Sequence, residues 1–252
     1  MRELLFLGGN GHCAARLDLA VAALDRAGGP FRLVNVPYAG FEGRPRAASL
    51  DQFLDSIDTS IASLAGAESR DTIYATGIGG LFAIALRARG AIAHIPILMQ
   101  APVLWGLERR WFPWFMRRGL WRLFPRLLRS QRFQARFGRT KFTRPIPAPM
   151  LATFFRGYQQ CEATTDFFHW LTPAFLRDLE REVAARPNCL DRISFWWGGR
   201  DAVVSIDELK VTERALGRTW PVRTIPDWGH YPMIDEPDEW VRNLADELAS
   251  AS

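Results

Sequence analysis

Tyr74-Ala75-Thr76-Gly77-Ile78-Gly79-Gly80 is the stretch that decides the fold. It joins the apolar run Thr72–Ala75, which reads as a buried strand, to Ile78–Arg89, which has apolar residues at helical spacing. Such a tight strand-to-helix bend is strained and brings backbones close together, so its flanks must be small. With Ala75 and Gly79 as flanks, the tip is Gly77. Shifting the frame to put Thr76 at the tip would place Tyr74 and Ile78 at the flanks, where there is no room.

The same alternation extends in both directions. Before the bend come a strand at Leu4–Leu7, a helix at Ala14–Arg26, a strand at Phe31–Val36 closed by Pro37, and a helix at Leu50–Leu64. After it come a strand at His94–Met99 and, further on, Ile193–Trp197 (strand), Asp207–Leu216 (helix), Val222–Ile225 (strand) and Glu239–Ala249 (helix). Strands separated by helices imply right-handed crossovers and a mainly parallel sheet with helices on both faces. The expected fold class is α/β, in one domain spanning residues 1–252.

Residues 103–187 break the pattern, because no βα connection is that long. The expectation is a helical insertion over the C-terminal edge of the sheet, acting as a lid where open α/β sheets bind ligands. It holds Trp105, Trp111, Trp114, Trp121 and Trp170. Between Gly106 and Pro145 there are eleven arginines and one lysine against a single acid, Glu108. The whole chain carries only +5, so the remainder is net acidic, and Lys141 and Lys210 are the only lysines. A basic, aromatic stretch has three readings. It is a lid over an apolar substrate, a receiver for an anionic or carrier-bound one, or a membrane-surface helix. The lid is preferred, with an anionic or carrier-bound substrate second. Nucleic acid is not expected, because no binding module accompanies the charge.

Composition narrows the classes further. Hydrophobic residues at 48% and charged residues at 23% exclude a disordered or fibrous chain. No apolar run reaches membrane-spanning length, and the apolar start at Leu4–Leu7 is too short for a signal-peptide core, so a cytoplasmic location is expected. Cys13, Cys161 and Cys189 form neither a disulfide framework nor a zinc pattern. No His/Cys/carboxylate cluster has ligand spacing, and the glycine-rich turn lacks both P-loop and dinucleotide spacing, so no metal and no cofactor are expected.

Two more turns follow strands: Gly198-Gly199-Arg200-Asp201-Ala202-Val203-Val204 and Asp227-Trp228-Gly229-His230-Tyr231-Pro232. With the bend at Gly77 they give the order nucleophile position, acid, histidine, at 77, 201 and 230. In this the chain resembles the α/β-hydrolase superfamily, lid-bearing type. Leu5-Phe6-Leu7-Gly8-Gly9-Asn10 is similar to that family's oxyanion strand, with Gly8 where the family has histidine, and Pro37-Tyr38-Ala39-Gly40-Phe41-Glu42-Gly43 to the loop after its next strand. The resemblance implies that His230 and Asp201 pair, and that the backbone N–H groups of Asn10 and Ile78 form the oxyanion hole. It also implies an oxygen or sulfur nucleophile at the bend, which Gly77 does not supply.

Three readings stay open for such a degenerate triad. In the preferred one, His230 activates water or removes a substrate proton without a covalent intermediate, in hydrolase-like or lyase-like chemistry on an apolar acyl, ester, thioester or polyketide-like molecule. In the second, the pocket binds a ligand or partner and does no chemistry. In the third, a serine was removed by engineering. Among other candidates, Cys13 reads as a buried inert thiol rather than a substitute nucleophile, His94 as structural and His169 as packed. His12 is divided equally between contact with the lid and solvent exposure.

Overall fold

The computed structural model describes residues 2–28, 31–64, 72–118, 124–160 and 163–250. Six strands, β1 (Arg2–Leu7), β2 (Phe31–Asn35), β3 (Thr72–Gly77), β4 (Ile97–Pro102), β5 (Ile193–Gly198) and β6 (Val222–Ile225), form one sheet in the order β2-β1-β3-β4-β5-β6. Every neighbouring pair is parallel. The crossovers are helices: α1 (Ala14–Ala27), α2 (Leu50–Leu64), α3 (Gly79–Ala88) and, after β5, α10 (Asp207–Leu216). The short α11 (Pro232–Asp235) and the closing α12 (Pro237–Ser250) follow β6.

Strand periodicity sorts the core into two layers. Leu5 and Leu7 of β1, Ile73 and Ala75 of β3, and Phe195 and Trp197 of β5 pack with α2 and α3 on one face. Leu4 and Phe6, Tyr74, and Trp196 pack with α1 and α12 on the other. Side chains two residues apart share a face, so each strand contributes to both layers. All residues of β3 and β4 are buried, which fits two strands covered by helices on both sides.

The fourth strand differs from expectation. It runs Ile97–Pro102 rather than His94–Met99, and His94 is exposed in the turn before it. Pro96 has no N–H to give a central ladder, so pairing starts one residue later, at Ile73↔Ile97. The Pro96 carbonyl still accepts from the Ile73 amide at 2.9 Å.

Between β4 and β5 the chain forms a 3-10 turn at Trp105–Arg109 and then α4 (Trp111–Arg117), α5 (Phe124–Leu127), α6 (Gln131–Gly138), α7 (Ala148–Gln160), α8 (Ala163–Trp170) and α9 (Pro173–Ala185). Trp121 and Cys161 lie outside the described residues. N-caps start α6 and α9: the Ser130 and Thr172 hydroxyls accept from the Phe133 and Phe175 amides. Phe167 of α8 packs 4.7 Å from Phe53 and 5.1 Å from Phe82, ring to ring. Phe154 of α7 lies 4.8 Å from Tyr231, edge to face. Both core layers therefore continue into this segment.

Candidate active site

The three loops that carry Gly77, Asp201 and His230 meet at the C-terminal ends of β3, β5 and β6 because their glycines let backbones touch. A Cβ at Gly79 would lie 2.1 Å from the Leu7 carbonyl oxygen, and one at Gly198 would lie 2.2 Å from the Trp228 carbonyl oxygen. Neither is a distance that atoms tolerate, so both positions need glycine. Gly77 itself has φ +55°, the left-handed region that disfavours a side chain. Around it there is nonetheless room: a Cβ would meet only Gly9 Cα, at 3.6 Å.

Asp201 and His230 are joined. The His230 Nδ1–H donates to Asp201 Oδ2 at 2.8 Å, and both side chains are nearly inaccessible. Asp201 Oδ1 accepts from the amides of Val203 (2.7 Å) and Val204 (2.8 Å). Burial alone would push the Asp201 carboxyl up; the adjoining His230 ring and these two amides outweigh it and hold the group below the usual carboxylate range. With Nδ1 committed to a carboxylate, the imidazole lone pair resides on Nε2. The backbone of His230 is also fixed: Gln100 Nε2 of β4 donates to its carbonyl at 3.0 Å. Gln100 in turn accepts from the Tyr74 hydroxyl, and Trp240 Nε1 of α12 donates to Tyr74 at 2.9 Å.

Opposite this pair lies the loop after β1. Gly9 abuts the bend so closely that a Cβ there would stand 3.1 Å from the Ile78 nitrogen. Among the described residues, neither the Asn10 amide nor the Ile78 amide is taken up by a turn hydrogen bond. Arg16, buried on α1, clamps the loop by donating to the Asn10 carbonyl at 3.1 Å and to the Phe154 carbonyl of α7 at 3.2 Å. Its guanidinium lies 4.0 Å from the centre of the Phe154 ring.

His12 is neither solvent-exposed nor at the pocket mouth. It is buried, stacks on Tyr38 at 4.1 Å and donates from Nε2 to the Val36 carbonyl at 3.0 Å. Burial pulls its pKa down to about 3, so it stays neutral. Its ring also explains Gly8, where a Cβ would lie 2.4 Å from His12 Nδ1. The Tyr38 hydroxyl donates to the Gly8 carbonyl at 3.0 Å, so the Pro37–Gly43 loop buttresses the loop after β1. His169 is exposed rather than packed, being the polar end of the otherwise buried face of α8. Cys13 is buried at the start of α1.

A cavity of about 590 Å³ connects these parts. Gly77, Ile78, Asn10 and His230 line it, together with residues that sequence reasoning did not single out: Arg16, Arg110, Lys141, Tyr158, Glu208 and Tyr231. Arg110 is paired with Glu208, its Nε donating to Oε2 at 3.1 Å, and also donates to the Val203 carbonyl at 2.9 Å. Lys141 could have been found from its rarity, as one of two lysines in a chain rich in arginine. Tyr231 follows His230 directly. Nothing in the pattern of α1 marks Arg16 as buried. Among the described residues, no group of three or more His, Cys, Asp or Glu side chains could hold a metal ion.

A parallel sheet with an acid–imidazole pair and an open backbone bend at its C-terminal edge defines a hydrolase-type scaffold. The chain belongs to the alpha/beta hydrolase family, whose model matches residues 4–243. Solved structures agree on the fold. One is a meta-cleavage product hydrolase from Pseudomonas fluorescens, a serine-to-alanine mutant complexed with acetates. It is 16% identical with TM-score 0.65, covering 100% of this chain and 92% of that one. Another is a haloalkane dehalogenase variant from Bradyrhizobium elkanii, 17% identical with TM-score 0.64, covering 99% and 89%. A third is a bacterial membrane phospholipase A, 18% identical with TM-score 0.61, covering 99% and 79%. At these identities the likeness is one of fold. No curated protein matches the sequence. Among the described residues, no helix is long and apolar enough to cross a membrane.

Proposed function

We propose that this protein is a hydrolase that works without a covalent intermediate, using His230 as general base and the amides of Asn10 and Ile78 as oxyanion donors. One observation carries the reading: His230, hydrogen-bonded to Asp201 behind it, lines the same cavity as Gly77, whose lack of a side chain leaves space at the bend. Water seated beside Gly77 gives its proton to His230 Nε2 while its oxygen attacks the acyl carbon. The carbonyl oxygen gains the charge, and the two amides stabilise it. Collapse breaks the acyl–oxygen or acyl–sulfur bond, and His230 returns the proton to the leaving group. Asp201 holds the tautomer and stabilises the transient imidazolium.

The substrate is an apolar acyl compound. Leu107, Pro113, Phe137 and Phe168, all from the segment between β4 and β5, supply apolar walls, and this segment acts as the lid. Turnover of a panel of aryl esters and acyl thioesters tests the reading. His230→Ala is expected to lower kcat/KM by about 10²–10⁴-fold, the usual worth of a positioned base. If the native chain shows no turnover that His230→Ala reduces, the site binds its ligand without chemistry, the reading that the missing nucleophile favours.

A further inference from the structure

Charge is distributed unevenly around the cavity. Arg16, Arg109, Arg110 and Lys141 line it against one carboxylate, Glu208. That carboxylate is already matched by Arg110. Arg16 spends its Nη1 and Nη2 groups on the Asn10 and Phe154 carbonyls and stacks on aromatic rings. Arg109 is exposed. Lys141 differs from all three. It follows α6, is half-buried, and has no ion pair among the described residues; its Nζ sits 4.8 Å from the centre of the Phe137 ring. A half-buried ammonium with no ion pair, whose opposing carboxylate Asp201 is already engaged by His230 and two amides, is a costly arrangement, and an anion entering the cavity would relieve it.

We infer that Lys141 is the anchor for a carboxylate group carried by the substrate, and that it makes the cavity selective for anionic acyl compounds over neutral ones of equal length. This rests on the cavity being the substrate site proposed above, and it adds a specificity residue outside the acid–imidazole pair. A carboxylate is favoured over a phosphate dianion because only one lining cation is both sheltered and unmatched. Burial, with Arg110 and Arg16 nearby and Asp201 opposing them, brings the Lys141 ammonium down to about 8. Arg109, Glu208, His230, Tyr158 and Tyr231 are the other charged or titratable groups on the cavity wall. Lys141 is charged below that value, so affinity for a carboxylate holds at neutral pH and falls as pH rises through it.

The two-lysine composition makes the test direct. Reductive ¹³C-methylation labels Lys141 and Lys210, and Lys210, exposed and paired with Asp207, serves as the internal control. The probes are octanoate, octan-1-ol and octyl phosphate. Octanoate is expected to move the Lys141 titration midpoint up by about one unit and leave that of Lys210 unchanged. By calorimetry on unmodified protein, Lys141→Gln should weaken octanoate roughly tenfold, the worth of one charge-assisted contact, and change octanol less than twofold. Lys141→Arg should retain octanoate binding and extend it to higher pH. An unmoved Lys141 midpoint, equal losses for octanoate and octanol, or tighter binding of octyl phosphate than of octanoate would overturn the assignment. These readouts are of binding, so they stand or fall separately from the effect of His230→Ala on turnover.

Discussion

The two sides of the cavity are furnished in opposite ways. On the side of β5 and β6, polar side chains satisfy one another: Asp201 takes three hydrogen bonds and His230 is held by both ring and backbone. On the side of β3, the bend at Gly77 carries no side chain at all, and what is preserved is the backbone path, with φ +55° and glycines packed against it. The contrast teaches that the strained bend and the acid–imidazole pair are separable constructions. The bend is set by close backbone approach, the pair by hydrogen bonding, and neither needs the other in order to form.

The strongest way to break the comparison is at the pair. Asp201→Asn should lower turnover of a responsive ester by about 10²–10³-fold, no more than His230→Ala does, because the imidazole loses the partner that fixes its tautomer. It should also change the acid limb of stability. The native carboxyl is depressed, so its contribution is fully present above the unfolded carboxylate range and is lost as pH falls through the native value. Urea midpoints from pH 6 to pH 3 should therefore converge between native protein and variant; parallel curves would contradict the pairing. On the side of the bend, Gly79→Ala should cost about 3 kcal/mol, since its methyl would meet the Leu7 carbonyl, a backbone atom that cannot swing away. A denaturation midpoint within error of native would show that the approach is not needed.

Gly77→Ser sharpens the comparison by furnishing the bare side. The space is there, so a gain in aryl-ester hydrolysis of about 10²-fold with burst kinetics is expected, at a strain cost of roughly 1–3 kcal/mol visible as a lower melting temperature. A variant that folds but shows neither a burst nor a gain would mean that His230 is misaligned with the bend. The smallest effect belongs to Trp240→Phe, which removes the donor to Tyr74 and should cost about 1 kcal/mol in urea denaturation.

How much of this could be read from the chain follows from what each feature depends on. The sheet was legible because its strands are short apolar runs bounded by helical periodicity. Asp201 and His230 each stand in a turn just beyond such a run, but it was the resemblance, not the periodicity, that singled them out; the structure joins the two side chains by a hydrogen bond. The start of β4 was not, because Ile95 continues the apolar pattern while Pro96 silently removes a ladder donor. His12 misled because its polarity reads as surface, yet its ring fills the space that Gly8 leaves. Arg16 and Lys141 gave no local signal of facing the cavity. What places them there is the packing of α7 and α6 from a distant part of the chain, and no pattern within either helix encodes that.

The amide of Gln100 has one more implication. It sits in one of the two central strands and grips the main chain of the imidazole residue across 130 positions of sequence. A loop tethered in that manner has little freedom to fray ahead of the body it is tied to. Warming should therefore leave the His230 ring in register until the whole sheet gives way, and loss of that ring's alignment would coincide with global melting instead of preceding it.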